Sequence, residues 1–209
     1  MDRSALYRQV AKLHIANINQ GFLATLGVAF LALMYEAIDN APTSTLLVSE
    51  SNGRVVGFVA GGTGMLPIYM QMLRNWPRLA VALLPALLSP RRIWRILEIM
   101  RHSGRGSKGD APANAELLSI AIDPAFRGAA RADALYAGLA DQFRSRGFTG
   151  FKIVVGSSLS NAHKFYRRMG AQPVGTVEVH GGEGSIVYFQ PIIGHPSSHS
   201  EISAVTKLR

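Results

Sequence analysis

The chain has 209 residues, of which 48% are hydrophobic and 17% charged, a composition that suits one folded domain and excludes wholesale disorder. It contains no cysteine, which excludes disulfides, thiolate nucleophiles and cysteine-ligated metal sites. Its net charge of +9 favours anionic partners such as a phosphorylated small molecule, anionic lipid or nucleic acid.

Apolar residues at three- and four-residue spacing predict helices across residues 4–39. The two segments are "LYRQVAKLHIANI" and "FLATLGVAFLALMYEAI", and Gly21 is the expected break between them. The N-terminus lacks the apolar core of a signal peptide, and the most apolar run, residues 79–88, is too short to cross a bilayer. We therefore expect a soluble, cytoplasmic protein.

Residues 45–113 predict a β-hairpin followed by a helical insertion. The strands are "TLLVSES" and "RVVGFVAGGT", and Asn52–Gly53 between them is a strong signal for a tight turn. From residue 64 the sequence predicts two or three helices, each with a proline in its first turn, and then a polar, glycine-rich loop up to residue 113. The three prolines are Pro67, Pro77 and Pro90.

The insertion, residues 64–113, carries most of the positive charge. Between residues 65 and 108 it has eight basic residues against one acidic residue, Glu98, with Trp76 and Trp94 among them. Three interpretations remain open: a lid whose arginines meet an anionic acceptor, an amphipathic surface that rests on anionic lipid, or a helical dimer interface with solvated arginines. No aromatic platform or known motif supports nucleic-acid binding, which we do not expect.

From residue 115 onward, predicted strands and helices follow one another in the order of an α/β protein. The predicted elements are strand 115–122, helix 131–147, strand 151–158, helix 161–170 and hairpin strands 172–180 and 184–190. Gly147 and Gly170 are the expected ends of the two helices. We expect a single α/β domain over residues 1–192, built on a mixed twisted sheet flanked by helices, with a flexible tail over residues 193–209.

The segment "DPAFRGAARADAL", residues 123–135, joins a predicted strand to the start of a predicted helix. The first amides of a helix have no internal partner and the helix dipole adds positive charge, so a diphosphate can bind there. Small residues would let phosphate oxygens approach the backbone, and Arg127 and Arg131 supply charge. The alanines suit such a cradle if they adopt negative φ. The alternative is that small residues only allow the helix to pack closely on the sheet.

Three motifs occur in a fixed order along the chain. "RGAARA" matches the pattern Gln/Arg-x-x-Gly-x-Gly/Ala at its first and last positions, Arg127 and Ala132, and has Ala130 in the central glycine position. "FYRRMGA", residues 165–171, follows a predicted strand, and "RVVGFVAG", residues 54–61, precedes the insertion. These motifs resemble three features of the GNAT superfamily, the N-acetyltransferases that use acetyl-CoA. "RVVGFVAG" resembles the family's third strand, "RGAARA" its phosphate loop, and "FYRRMGA" the helix after its fifth strand.

The resemblance implies acetyl-CoA as co-substrate, bound where two parallel strands separate. The pantetheine arm would pair with the backbone of the family's fourth strand, and the amides after that strand would hold the pyrophosphate. The implied coenzyme-binding residues are Ile120, Ala121, Ile122, Arg127, Gly128, Ala129, Ala130, Arg131, Ala132 and Asn161. An amine would attack the thioester directly, and a backbone N–H would stabilise the oxyanion of the tetrahedral intermediate.

The resemblance assigns Tyr166 as the general acid that protonates the leaving thiolate. Without the resemblance, Tyr166 would be interpreted as a core residue of its helix. Glu116, at the start of the fourth family strand, is the candidate base, and a solvated charge at a strand end is the equal alternative. Glu36 is a weaker candidate base, and Asp123 fits a turn-forming role.

Three features depart from the family pattern. Ala130 replaces the central glycine of the loop, which would weaken coenzyme binding. Leu159 stands where an asparagine often lies, seven residues before Tyr166, and Asn161 has a helix N-cap as its alternative role. The first strand of the family fold is not evident before residue 4. These departures leave open a second hypothesis, a weak or inactive module whose insertion binds a membrane surface or a partner protein.

The sequence suggests neither a metal site nor a second type of catalytic site. The six histidines have no metal-ligand spacing, and Ser157 and Ser158 do not lie in a nucleophile elbow. For the amine acceptor, a small-molecule amino sugar is the first hypothesis because of the arginine-rich insertion. A protein N-terminus, a polyamine, an aminoglycoside and a homodimeric state remain open.

Overall fold

The computed structural model describes residues 2–18, 22–87, 114–178 and 184–192. Over these ranges the chain forms a six-stranded mixed sheet with helices on both faces, which confirms the predicted α/β fold. The strands are β1 (Ser44–Ser51), β2 (Arg54–Gly62), β3 (Glu116–Ile122), β4 (Gly150–Gly156), β5 (Gln172–Glu178) and β6 (Gly184–Pro191). The helices are α1 (Arg3–Asn17), α2 (Gly27–Asn40), α3 (Leu66–Leu73), α4 (Trp76–Leu87), α5 (Arg131–Ser145) and α6 (Ser160–Arg168). Short 3-10 helices cover Phe22–Leu26 and Pro124–Phe126.

The strands lie in the order β1-β2-β3-β4-β6-β5, and within this sheet β3 and β4 are the parallel pair. The other neighbouring pairs are antiparallel. The β1–β2 hairpin is the predicted one, and its turn residues Asn52 and Gly53 have φ values of 51° and 73°. Two positive φ values give the backbone twist of a two-residue hairpin, and asparagine and glycine adopt them most readily.

Helices α1 and α2 cover one face of the sheet, and α5 and α6 cover the other. In the first layer, Tyr35 of α2 and Phe58 of β2 are fully buried, and their rings meet edge to face at 5.1 Å. In the second layer, Leu139 and Phe143 of α5 are fully buried with Phe151 of β4. Burial of one such side chain stabilises the fold by about 1.5–3 kcal/mol, so both layers hold β3 and β4 in place.

The N-terminal helices differ in detail from the predicted pair. Helix α1 ends at Asn17, a 3-10 turn follows from Phe22, and α2 begins at Gly27, whose φ is 86°. A positive φ does not belong to a regular right-handed helix, so the predicted run from residue 22 is interrupted at Gly27. Gly21, the predicted break, lies outside the described residues.

One described segment, Leu23–Asn40, is long and apolar enough to cross a membrane by length and composition. The sequence prediction considered the most apolar run, residues 79–88, and did not single out this longer segment. Within the fold, 44% of it is buried, and α2 packs Leu31 and Ile38 into the core between α1 and the sheet. Burial inside the protein accounts for the apolar composition of such a core helix.

The described part of the insertion contains α3 and α4, which both pack against α2. Pro67 and Pro77 lie in their first turns, as predicted, because proline lacks the N–H that a first turn leaves unpaired. The predicted helix from Pro90, the glycine-rich loop and the tail from residue 193 lie outside the described residues. The division into one domain and a tail stays a prediction.

The elements after residue 114 match the predicted ones to within about two residues at each described boundary. Gly147 and Gly170 follow α5 and α6 with φ values of 82° and 90°. Glycine adopts this left-handed conformation without the steric cost of a Cβ, which explains why both helices end where they do.

Candidate active site

The separation of β3 from β4 is the central feature of the site. These parallel strands share two residue pairs, Glu116 with Lys152 and Leu117 with Ile153. Beyond Leu117, β3 stays paired to β2 as far as Ile122, and β4 stays paired to β6 over its whole length. The facing edges therefore leave a slot, called here the β3–β4 slot, whose backbone N–H and C=O groups are available to an extended ligand.

A β-bulge in β3 changes which side chains face each layer. Ser119 pairs with Ala60 and Leu117 pairs with Gly61, so Leu118 is an extra residue on β3. As a result, two consecutive residues face the α1–α2 layer: Leu118 packs into that core, and Ser119 contacts a tyrosine of α2. The bulge follows the last β3–β4 pair directly and so lies where the slot opens.

Five consecutive amides after β3 have no hydrogen-bond acceptor in the described part of the chain. They belong to residues 128–132, at the turn into α5. The first amide of α5 that bonds a carbonyl is that of Ala134, which donates to Ala130 O at 2.9 Å. Residues 128–130 are exposed, and the positive end of the α5 dipole lies beside them. The five amides therefore form an open site for an anion.

Ala130 has a left-handed conformation in this loop, with φ 53° and ψ 11°. The condition under which alanines suit the loop, a negative φ, is not met at Ala130, whereas Ala129 and Ala132 have no positive φ. The Cβ of an L-residue costs about 1–2 kcal/mol in this region, which is why glycine favours it. The left-handed backbone at this position explains why the family has glycine there. In this chain Ala130 adopts that conformation with a Cβ and is therefore strained.

The two arginines of the loop have different environments. Arg127 is exposed and donates to Asn17 Oδ1 at 2.9 Å and to the last carbonyl of β3. Arg131 donates to Ser49 Oγ at 3.0 Å and lies 5.8 Å above the Phe126 ring. The buried Nε of Arg131 has no partner among the described residues. Arg131 begins α5 and so brings a positive charge close to the unpaired amides.

An arginine of α6 neutralises the carboxylate in the first turn of α5. Both oxygens of Asp133 accept hydrogen bonds from Arg168, at 2.6 and 2.8 Å. These bonds hold the pKa of Asp133 below its usual value. The pairing weakens the repulsion that Asp133 would exert on an anion at the neighbouring amides, and it ties α6 to α5.

Tyr166 of α6 lies in the α5–α6 layer with 5% of its surface exposed. Its ring contacts Tyr136 and Tyr188, with centroid distances of 6.0 and 6.3 Å. Among the described residues its hydroxyl has no hydrogen-bond partner. Burial raises the pKa of Tyr166 above its usual value, so the phenol is protonated at neutral pH. Tyr166 is therefore a buried side chain with a free, protonated hydroxyl.

The two candidate bases both form ion pairs. Glu116 lies 3.2 Å from Lys152 Nζ, and 28% of its side chain is exposed beside the β3–β4 slot. Glu36 accepts hydrogen bonds from Arg78 at 3.0 and 2.8 Å, and the pair lines a groove of about 380 Å³ between α1, α2 and α4. Asp123 caps the 3-10 turn after β3, which fits its predicted turn-forming role. No cluster of three or more His, Asp or Glu side chains that could hold a metal occurs among the described residues.

The first turn of α6 differs from the predicted one. The helix begins at Ser160 with Leu159 as N-cap, so the alternative role of Asn161 as N-cap is wrong. The side chain of Asn161 is exposed and makes no hydrogen bond with the described residues. The structure therefore gives Asn161 no fixed orientation toward the slot.

His163 joins α6 to β4 and β6, a role that the sequence did not reveal. Its Nε2 lies 3.1 Å from Gly156 O, and its Nδ1 lies 3.0 Å from the Tyr188 hydroxyl. Because a carbonyl can only accept, Nε2 carries the proton and Nδ1 accepts from Tyr188. His163 thereby fixes α6 to the end of β4, one helical turn before Tyr166. Its partners Gly156 and Tyr188 lie on other elements of the fold, so no local sequence pattern predicts this contact.

A second buried network lies in the α1–α2 layer, and the sequence did not reveal it either. The Tyr35 hydroxyl lies 2.6 Å from His14 Nδ1 and 3.1 Å from Ser119 Oγ. The His14 ring stacks on Phe58, with a centroid distance of 6.3 Å. Burial lowers the pKa of His14 to about 4, so its imidazole is neutral at neutral pH. The network fixes β3 at the bulge, where the slot opens.

The sequence and the fold place the chain in a known family. A family model described as the acetyltransferase (GNAT) family matches residues 15–171. The chain belongs to the GNAT family of acetyltransferases and is an acyltransferase, which confirms the resemblance seen in its motifs. No curated protein matches the sequence.

Solved structures with the same fold include three acetyltransferases. An aminoglycoside 6'-acetyltransferase type Ii is 15% identical, with a TM-score of 0.58 over 94% of this chain and 97% of that one. An aminoglycoside 6'-N-acetyltransferase complexed with coenzyme A is 14% identical, with a TM-score of 0.57 over 94% and 97% of the two chains. An N-acetyltransferase from Staphylococcus aureus Mu50 is 17% identical, with a TM-score of 0.52 over 88% and 92%. At these identities the likeness is one of fold.

Proposed function

We propose that the protein is an N-acetyltransferase that moves the acetyl group of acetyl-CoA to a primary amine by direct attack. The observation that carries this proposal is the β3–β4 slot, which leads to five unpaired amides at the start of α5. An extended arm that contains amides and ends in a diphosphate has the chemistry to fill both parts, and coenzyme A has this constitution. One similar structure, of a protein with the same fold, is complexed with coenzyme A.

Two parts of the coenzyme would bind to two parts of the protein, the pantetheine arm to β3 and the pyrophosphate to the loop that follows it. The backbone of residues 120–122 borders the slot and would pair with the pantetheine amides. The amides of residues 128–132 would hold the pyrophosphate, and the guanidinium groups of Arg127 and Arg131 would add charge. Asn161 is exposed at the start of α6 and has the weakest support of these residues.

The two layers would give the two substrates separate approaches. The coenzyme would lie on the α5–α6 side, because the unpaired amides begin α5. The amine would then approach from the α1–α2 side, which Leu118 and Ser119 face. The amine nitrogen bonds to the thioester carbon, a backbone N–H of β3 stabilises the oxyanion, and the C–S bond breaks. The nitrogen releases its extra proton to solvent as the amide forms, while Tyr166 protonates the leaving thiolate and is reprotonated by solvent.

Glu116 is the residue proposed to take the proton that the ammonium must lose. It lies at the closed end of the β3–β4 slot, and its ion pair with Lys152 orients its carboxylate. If Glu116 is the base, Glu116→Gln lowers kcat by about 10²- to 10⁴-fold. The fall in rate at acidic pH that reports on the base should also disappear from the pH–rate profile. An unchanged profile in this variant would assign Glu116 to the ion pair alone.

The acceptor is proposed to be an amino sugar, the first hypothesis from the sequence. Two of the similar structures are aminoglycoside acetyltransferases, and aminoglycosides are themselves amino sugars. The arginine-rich insertion would suit an amino sugar that also carries an anionic group, whereas the net charge of +9 disfavours a polycationic amino sugar such as an aminoglycoside. A cytoplasmic location and a homodimeric state remain further proposals.

Calorimetry of acetyl-CoA binding tests the cradle. We expect micromolar binding by the wild type, weakened by about 1–3 kcal/mol in Arg127→Ala, the range for a charge-assisted hydrogen bond. Arg8→Ala, which removes an exposed arginine of α1, is the control and should bind as the wild type does. No binding by the wild type would favour the alternative of an inactive module.

Turnover is measured by the release of free coenzyme A with a thiol reagent. The chain has no cysteine, so the coenzyme contributes the thiol that is detected. Primary-amine acceptors are screened in this assay, amino sugars and aminoglycosides first, then polyamines and peptides with free N-termini. Tight acetyl-CoA binding with no turnover on any of these classes would restrict the proposal to coenzyme binding.

A further inference from the structure

Helices α3 and α4 expose an apolar surface that the proposed reaction does not use. Of the nine large hydrophobic side chains exposed in the described part of the chain, six lie between residues 66 and 84. They are Leu66, Met70, Leu73, Trp76, Val81 and Leu84, with between 45% and 67% of their surface exposed. Single exposed hydrophobic residues are ordinary, but this concentration in one segment marks an interaction surface, called here the α3–α4 surface.

The spacing of these residues makes them one surface. The three on α3 follow one another at i, i+4 and i+7, so they share one side of the helix. The opposite side of α3 buries Ile68 and Met72 in the core, and α4 likewise buries Ala82. Both helices pack against α2, and on α4 the side chains of Trp76 and Leu84 are exposed, whereas Val81 lines the groove between α1, α2 and α4. Each helix is thus apolar on two sides, although one side suffices to pack it on the core.

The charge around this surface selects its partner. In residues 64–87 the charged residues are Arg74, which is exposed, and Arg78, which pairs with Glu36, and the sequence of residues 88–113 adds six basic residues against two acidic ones. A second copy of the chain would bring the same positive charge to the contact and would be repelled. An anionic bilayer would attract the arginines and take up the apolar side chains. Trp76, 67% exposed, is a residue type enriched at the level of lipid headgroups.

We propose that the α3–α4 surface docks the protein on the surface of an anionic lipid bilayer. Leu66, Met70 and Leu73 enter the boundary between headgroups and acyl chains, and Arg74, which is exposed at the end of α3, lies at the phosphates. The contact is peripheral and reversible, because it combines a few apolar side chains with screened charges. This inference does not rest on acetyl transfer, since no residue of the β3–β4 slot takes part.

Vesicle flotation of the full-length protein tests the inference. The probes are phosphatidylcholine vesicles with about 30% phosphatidylglycerol and vesicles of phosphatidylcholine alone, at about 0.1 M and about 1 M salt, where the Debye length falls from about 10 to 3 Å. We expect binding to the anionic vesicles at low salt, weaker binding at high salt and none to neutral vesicles. Absence of binding to the anionic vesicles would overturn the proposal.

A matched pair of variants assigns the binding to this surface. Leu66→Ser combined with Met70→Ser should weaken partitioning into anionic vesicles by about tenfold or more. Val174→Ser removes a side chain of β5 that is 53% exposed, and it should partition as the wild type does. Both variants should keep the melting temperature and the acetyl-CoA affinity of the wild type, because the substituted side chains are exposed.

Two other occupants of the surface give distinct results, and each would overturn the proposal. If another part of the same chain covered it, the double variant would lower the melting temperature and leave vesicle binding unchanged. If a second copy covered it, sedimentation would show a dimer in the wild type that the double variant loses.

Discussion

The hydroxyl of Tyr35, on α2, lies 3.1 Å from Ser119 Oγ on β3. The two residues are 84 positions apart in the chain, and their contact ties the α1–α2 layer to β3 where the β3–β4 slot opens. The same hydroxyl also lies 2.6 Å from His14 Nδ1. One buried tyrosine therefore joins α1, α2 and the strand that borders the slot.

Tyr35→Phe tests how much this contact stabilises the fold. The ring keeps its packing against Phe58, but Nδ1 of His14 and the hydroxyl of Ser119 lose their partner in a buried site. We expect the free energy of unfolding to fall by about 1–3 kcal/mol, measured by urea denaturation. Ser119→Ala, which removes one of the two hydrogen bonds, should cost about 1 kcal/mol. Equal stability of Tyr35→Phe and the wild type would contradict this account.

His14 should make the protein less stable in mild acid. Its folded pKa is lowered to about 4 by burial, whereas an unfolded histidine has a pKa of about 6.5. Between these values the unfolded chain binds the extra proton, so stability is full above pH ~6.5 and falls as the pH is lowered toward ~4, by roughly 3 kcal/mol. His14→Gln does not titrate and should flatten this part of the pH–stability curve. An unchanged slope in His14→Gln would assign the effect to other groups.

Ala130→Gly should stabilise the protein. Glycine relieves the left-handed strain at φ 53° but costs more backbone entropy on folding, so we expect a net gain of up to about 1 kcal/mol in the free energy of unfolding. Ala129→Gly is the matched control, because its φ is not positive and the same change should cost about 0.5–1 kcal/mol. If both variants lost stability equally, Ala130 would not be strained in solution.

Tyr166→Phe should impair acetyl transfer without loosening the fold. Its hydroxyl has no partner among the described residues, so stability and acetyl-CoA affinity should stay near wild type while kcat falls by about 10²- to 10⁴-fold. In Tyr136→Phe, by contrast, a hydroxyl that donates to Gln190 at 2.8 Å is lost from the same layer. That control should cost about 1 kcal/mol of stability and leave kcat nearly unchanged. A normal kcat in Tyr166→Phe would return Tyr166 to a packing role.

The parts of the fold that depend on local residues could be predicted from the sequence. Asn52–Gly53 marks its hairpin because those two residues tolerate the φ values of the turn. Gly147 and Gly170 mark helix ends for the same reason. Ala130 shows the limit of such inference: its position matches a glycine in the family pattern, but the residue itself does not reveal that φ is positive.

Contacts between distant residues could not be predicted in this way. His14 and Tyr35 lie on separate helices, and a histidine or tyrosine at an apolar position is compatible with ordinary packing. The apolar spacing of α3 predicted a helix but not which of its sides is covered, because both sides are apolar. Only the family resemblance predicted the separation of β3 from β4. The residues of a strand do not by themselves determine how far it pairs with a neighbour that is distant in the chain.

The sheet is, in mechanical terms, two three-stranded halves with a narrow hinge. One half is β1-β2-β3 and the other is β4-β6-β5, and the two residue pairs between β3 and β4 are the backbone pairing that joins them. A molecule bound in the β3–β4 slot can form hydrogen bonds with the backbone of β3 on one side and of β4 on the other. It then connects the two halves as an additional strand between them would. Its binding then stabilises the folded sheet by RT ln(1 + L/Kd), where L is the free ligand concentration. A ligand bound in the β3–β4 slot should therefore make the sheet more rigid. We expect the two halves of the sheet to separate less readily in the ligand-bound protein than in the ligand-free protein.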